Sequence, residues 1–240
     1  MACSRPSVEA AGFATPAALL LCLALALICS AIVARSVMTL RLSWAELGRT
    51  QQEFALDGAA LVAEAAIIRN AGPGPFEWSL TTGGVQTEIL AEPEVDKVSP
   101  AAAAGLPDAV FAALGVQDLA PLRARLAALA ASADRPTIAS LDAAPLWAAC
   151  GPSAISVFGQ RDHVIFLPRS APTAAADQPA WHIGEAWRVR ITTSAGWRDD
   201  RIVRFTGSPQ HPAAVVSRAF ARVGDRGGEC DDLLTAVAGG

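Results

Sequence analysis

Catalysis needs a nucleophile, a base or a metal site, and few residues of this chain are spaced for one. Its three histidines, His163, His182 and His211, stand far apart. No H-x-x-x-H pair puts two imidazoles on one helix face, so surface or hydrogen-bonded histidines are the simpler reading. Ser153 lies in Gly151-Pro152-Ser153-Ala154-Ile155, which lacks the closing glycine of a nucleophile elbow. Arg188, Arg190, Arg198, Arg201 and Arg204 could form a basic patch. No aromatic residue lies among them on that face, and the solvated side of a two-stranded ribbon explains them as well. The net charge of −4 also points away from nucleic acid. The expectation is a protein with no catalytic activity and no cofactor.

Cysteine usage bears on compartment. Of five cysteines, Cys3 precedes an apolar run, Cys22 and Cys29 lie inside it, and Cys150 and Cys230 lie beyond it. If the later part of the chain is outside the cytoplasm, Cys150 and Cys230 could form a disulfide closing a long loop, contributing a few kcal/mol. Two unpaired buried thiols are the alternative. Cys22 and Cys29, two turns apart on one helix face, are expected to pack as small apolar groups.

The elements that must position these residues begin with Phe13 to Val33, FATPAALLLCLALALICSAIV, which contains no Asp, Glu, Lys or Arg. About 21 residues at 1.5 Å each cover roughly the 30 Å of a bilayer core. Beyond it, Val37, Leu40, Trp44, Leu47, Gln51, Phe54, Gly58, Leu61, Ala65 and Ile68 alternate spacings of three and four. That pattern stripes one side of a helix, and no proline interrupts it before Asn70. The spacing predicts one helix of about 58 residues, close to 90 Å long, with its outer half against a globular part. Because the stripe continues through Arg35 and Arg41, the apolar helix reads as retained. The competing reading is an ordinary signal peptide cut near Cys29-Ser30-Ala31. A lipoprotein signal is excluded, since Leu21 and Ile28 stand where a small residue is required before Cys22 or Cys29.

Gly12-Phe13, a membrane helix, and then an amphipathic helix containing Phe54-Ala55-Leu56-Asp57-Gly58-Ala59 resemble the type IV pilin and pseudopilin group. The resemblance implies prepilin peptidase cleavage between Gly12 and Phe13, with methylation of the new N-terminal amine. Most members carry a glutamate at the fifth mature position, which is Ala17 here. The minor pseudopilin K of type II secretion shows the same departure. In such fibres the carboxylate is thought to pair with a neighbour's terminal amine, and a tip subunit has no such neighbour on one side. An apolar residue there avoids an unpaired charge in lipid.

The rest of the chain follows the order of that family. Ala71 to Pro75 (AGPGP) stops the helix. Phe76 to Leu80 alternates as a strand, Thr82-Gly83-Gly84 turns, and Val85 to Leu90 pairs back. Glu94-Val95-Asp96-Lys97-Val98-Ser99-Pro100 is similar to the acidic segment of pseudopilin K, without its asparagines. Pro107 to Gly115 and Asp118 to Ala133 read as helices, with Leu119, Leu122, Leu126 and Leu129 at helical spacing and Gly115 ending the first. Arg135 to Leu141 resembles the family's Arg-Pro-Phe-x-Ser segment. Ala154 to Gly159 is expected as a strand, Val164 to Leu167 as a short apolar run, and 168–179 as an exposed loop. Trp187, Val189 and Ile191 face one way and Arg188, Arg190 and Thr192 the other, with Gly196 in the turn and Arg201 to Phe205 returning. Glu229, Asp231 and Asp232 could help hold calcium, as acidic residues do in some pseudopilin K proteins. They lack EF-hand spacing, so a solvated tail is the simpler reading and the metal question stays open.

The expected class is α+β: a long N-terminal membrane-anchored helix packed on an antiparallel pilin-like sheet with a short inserted α-helical domain. The expected divisions are a leader at 1–12, a transmembrane part at 13–34, the outer part of the helix at 35–70, and first strands at 71–95. A helical insert at 96–152, remaining strands at 153–223 and a tail at 224–240 follow. The resemblance implies a minor pseudopilin at the tip of a type II secretion pseudopilus, held in the inner membrane with its globular part in the periplasm. Its implied partners are I- and J-type minor pseudopilins, the major pseudopilin, the prepilin peptidase and the inner-membrane secretion platform. The alternatives are a type IV pilus accessory subunit, which shares the leader, and a periplasmic binding domain with an ordinary signal.

Overall fold

The computed structural model describes residues 14–69, 74–131, 138–165, 169–172, 181–222 and 230. Helix α1 runs from Ala14 to Arg69 without interruption. Two compact units divide the chain, 1–51 and 52–240. In the first, α1 is long and apolar enough to cross a membrane, and its leucines, among them Leu20, Leu23 and Leu27, point outward. Its hydroxyls are satisfied internally: Ser30 donates to the Leu27 carbonyl at 2.8 Å, Ser36 to Ile32 at 2.9 Å and Thr39 to Arg35 at 2.9 Å. A segment bounded by hydrocarbon needs that economy, since no water is there to bond a free hydroxyl.

The second unit is built on an antiparallel sheet of five strands in sequential order, β1 (Phe76–Thr82), β2 (Val85–Pro93), β3 (Ala186–Thr193), β4 (Trp197–Phe205) and β5 (Ala213–Arg222). Gly83 and Gly84 both adopt positive φ, 58° and 80°, and Thr82 pairs directly with Val85. This is the two-residue turn whose twist matches its flanking strands. Trp187, Val189 and Ile191 line the inner face as the alternation predicts, with Phe76, Ile89, Val203 and Phe205.

Against that face lies the end of α1, though not the side the sequence marks. Phe54 and Leu61 are 71% and 66% exposed, whereas Ala55, Leu56, Ala59, Ala60, Ala63 and Ile67 are buried. The buried stripe has the predicted helical period but is rotated, so that four alanines lie on its buried face. Leu56 and Ile67 fill the remaining space. Trp181 closes the helix end, its indole donating to the Ile68 carbonyl at 3.1 Å while its ring packs 4.9 Å from Phe205.

Between β2 and β3 the chain forms a helical block: α2 (Pro100–Ala103), α3 (Asp108–Ala113), α4 (Leu119–Ala131) and α5 (Pro145–Ala154), with 3-10 turns at Glu94–Asp96 and Ile138–Leu141. It has its own core around Phe111, Leu114, Leu122, Leu126 and Trp147. Leu122, Leu126 and Leu129 are buried as their spacing predicts. Arg123 bonds the Leu106 carbonyl at 2.7 Å and lies over the Phe111 ring. Cys150, on α5, is disulfide-bonded to Cys230 across 80 residues of sequence, with Cα atoms 5.1 Å apart.

One further expectation is corrected. Residues 154–159 are not a strand: α5 continues through Ala154, Ile155 makes a single bridge to Val98, and the chain turns at Val157. Pro145 opens α5 at its first turn, where a missing N–H costs nothing. Of the run at 164–167, residues 164 and 165 are irregular and the others lie outside the described residues, as do 132–137 and 173–180.

The rotated stripe yields a direct test in the detergent-solubilised chain. Ala60→Leu should destabilise by about 1–3 kcal/mol through overpacking, while Leu61→Ala should stay within about 0.5 kcal/mol. Urea unfolding followed by tryptophan fluorescence reads both; the reverse order would put the buried face elsewhere.

Candidate functional site

The two apolar cores of the second unit are joined by charge. Lys97, the chain's single lysine, sits just beyond the 3-10 turn with its backbone held on both sides. Arg161 N–H donates to the Lys97 carbonyl at 3.1 Å, and Val98 N–H donates to the Ala154 carbonyl at 3.0 Å. Gly159 makes this possible: a Cβ there would lie 2.7 Å from the Val98 carbonyl oxygen. So fixed, the Lys97 ammonium lies 2.6 Å from Glu94 Oε1, 3.2 Å from the Pro152 carbonyl and 3.4 Å from Glu92 Oε2.

Glu94 is fully buried and draws its partners from three segments. Arg188 Nε of β3 donates to its Oε1 at 3.0 Å, and the Ser156 hydroxyl donates to its Oε2. Arg188 continues to Asp200 of β4 at 3.2 Å, and Arg190 approaches the same carboxylate at 3.4 Å while donating to Ser153 Oγ at 3.2 Å. Burial pushes the Glu94 carboxyl up, but Lys97 and Arg188 more than offset it and hold it below the usual range. Asp200 is likewise pushed up by burial and brought below its usual range by Arg188 and Arg190.

The arginine ribbon is thus not a solvated face. Arg188 and Arg190 are absorbed in this network, and Arg201 points to the opposite side of the sheet. There it pairs with Asp57 of α1 at 2.9 Å and with the buried Asp199, and Arg218 reaches the same two carboxylates at 2.8 and 2.9 Å. Arg204 donates to the Gly184 carbonyl at 2.9 Å. Arg198 and Arg204 form no ion pair among the described residues and line separate grooves, Arg198 donating to Thr192 Oγ1 at 3.4 Å. The partners of Arg188 lie 94 and 12 positions away, at separations no local motif records.

The other candidates fall apart from one another. His163, His182 and His211 are exposed at separate places, and Ser153 has Arg190 as its partner, with no imidazole beside it. Among the described residues no group of three His, Cys, Asp or Glu is placed to hold a metal. Glu229, Asp231 and Asp232 lie outside the described residues, as do Gly12 and Phe13. Ala17 is exposed on α1, and Cys22 and Cys29 are exposed free thiols there. Compared with known proteins, the chain matches no family model, no curated protein and no solved structure. Its site is read from its own geometry: a structural ion network flanked by a groove, fit for holding surfaces in register.

Glu94 and Asp200 have ordinary carboxyl values of 4.5 and 3.8 that folding lowers. Their contribution is therefore complete above about pH 4.5 and is lost as pH falls through the lowered folded values. The urea midpoint should hold steady from pH 7 to 5 and drop below pH 4. Glu94→Gln should cost about 3–5 kcal/mol at pH 7 by leaving buried cations unpaired, and should flatten the acid limb. A variant as stable as the parent would show that the network does not hold the unit together.

Proposed function

We propose that the chain is a minor pseudopilin of a type II secretion apparatus, most similar to component K, acting at the pseudopilus tip without catalysis. The observation that carries the reading is α1. An apolar helix able to cross a membrane runs on to Arg69 and buries an alanine face on an antiparallel sheet, with a helical block between the second and third strands. That is the order expected of an anchored, pilin-like subunit with an inserted helical domain. Ala17 in place of a glutamate suits a subunit with no neighbour above it. Phe54 and Leu61, left exposed by the second unit's own core, are available to pack on helices of other subunits. The Cys150–Cys230 disulfide suits an oxidising compartment such as the periplasm.

On this reading the prepilin peptidase cuts after Gly12 and the new Phe13 amine is methylated. The mature helix is stored in the inner membrane. I- and J-type minor pseudopilins bundle with it, and Ala and Ser side chains along the apolar segment permit close helix approach. The secretion platform then adds major pseudopilins below, and growth pushes the head outward, which moves cargo toward the outer membrane.

The test is the mass of the mature chain purified from membranes. A start at Phe13 with one added methyl group is expected, and Gly12→Val should leave the chain uncut. A mature chain starting within 30–34 and released to the soluble fraction would overturn the reading in favour of an ordinary secreted domain.

A further inference from the structure

β5 ends the sheet, and among the described residues β4 is its only paired strand. The opposite edge is covered in part: the Glu77 amide of β1 donates to the Ser170 carbonyl at 2.9 Å, and Arg169 pairs with Glu77 at 3.0 Å. A long strand with an open edge is a template for a further strand, and β5 is ten residues long.

Beside that edge runs a groove of about 430 Å³. It is lined by Val216 and Ala219 of β5, by Arg190, Arg198 and Ile202 of the neighbouring strands, and by Ala149 and Phe158 from beyond the sheet. A β-bulge shapes the β5 side: Ile202 pairs with Ser217 and Val203 with Val215, so Val216 is the extra residue and stands 48% exposed. Bulges re-aim side chains in this way. The groove is unbalanced in charge. Among its charged lining residues Glu94 and Asp200 face Arg188, Arg190 and Arg198, two carboxylates for three cations. Arg198 is the surplus one. Burial and the neighbouring Arg190 lower its affinity for a proton, and Asp200 offsets this only in part.

We propose that the open edge of β5 and the groove beside it form one docking surface for an extended segment of another polypeptide. The segment adds to β5 as a sixth strand, sets alternate apolar side chains between Val216 and Phe158, and places a carboxylate on Arg198. A second copy of this chain is a poor occupant, because β5 carries Arg218 and Arg222 and no carboxylate, so paired copies would meet like charge with like. Single-stranded nucleic acid is disfavoured by the lining, where Phe158 is the one aromatic residue and stacking platforms are wanting. The surface is independent of the secretory reading and fails or holds without it.

The test uses the full chain in detergent micelles and a fluorescein-labelled ten-residue peptide alternating valine and glutamate. Saturable binding is expected, with slowed hydrogen exchange confined to 213–222. The same peptide with lysine for glutamate, or with N-methylated backbone amides, should bind at least tenfold more weakly. Arg198→Glu should lose at least tenfold in affinity and Arg198→Lys less than threefold, at unchanged thermal midpoints. Val216→Asp supplies an independent variant that leaves the ion network intact. Equal binding of the glutamate and lysine peptides, exchange protection elsewhere, or displacement by a thymidine oligonucleotide would each overturn the proposal.

Discussion

A carboxylate with no access to water is tolerated only where cations and hydrogen-bond donors are already in place, and Glu94 depends on that condition. It receives Lys97 from three residues ahead, Ser156 from beyond the helical block, and Arg188 from β3. Ser156 and Arg188 would not be near it if the block and the sheet were not assembled together. Such a network adds little net stability over a well-packed apolar seam, because desolvating the charges costs nearly what their attraction returns. Its effect is selective: a slipped register leaves a bare charge in the interior, so the penalty falls on wrong arrangements. The Lys97 bond to the Pro152 carbonyl extends the same control to the end of α5.

The two faces of the sheet consequently work by different physics. Toward α1 the contact is apolar, made by alanines with Leu56 and Ile67, with one polar exception in the Asp57, Arg201, Asp199 and Arg218 cluster. That cluster fixes the rotation of the helix on the sheet, which a row of similar alanines would leave poorly determined. Toward the helical block the contact is ionic, and each core is closed before the two meet. A substitution in one core therefore has no direct packing path to the other; it acts through the charges between them.

How much of this was legible in the sequence follows from what each pattern encodes. The β1–β2 and β3–β4 hairpins were readable because a period of two and glycine turns are local signals. Helices α3 and α4 were readable from leucine spacing. The sequence pattern marks a different face of α1, because hydrophobicity favours large side chains whereas the buried face is mostly alanine. Residues 154–159 look like a strand in composition, but hydrogen bonding to Val98 limits them to one bridge. β5 carries no clean alternation, since an edge strand exposed on both sides has no buried face to encode. The arginines of β3 alternate as a solvated face would; only the distant Glu94 and Asp200 make that face an interior. For Cys150 and Cys230, counting showed that a pair was available, and only the fold brought their Cα atoms to 5.1 Å.

Arg198 marks where the logic of the network stops. Every other cation of the seam has a carboxylate, whereas half-buried Arg198 has only a hydrogen bond to the Thr192 hydroxyl. Arg198 lines a groove beside a strand edge that has no further partner among the described residues, on the strand pair whose bulge exposes Val216. Each feature alone is commonplace on protein surfaces. Their coincidence within one strand pair has a single physical economy: the charge, the backbone donors and the apolar rim would all be satisfied by one extended acidic segment. Arg198 completes no ion pair among the described residues, so a partner explains it better than the fold does.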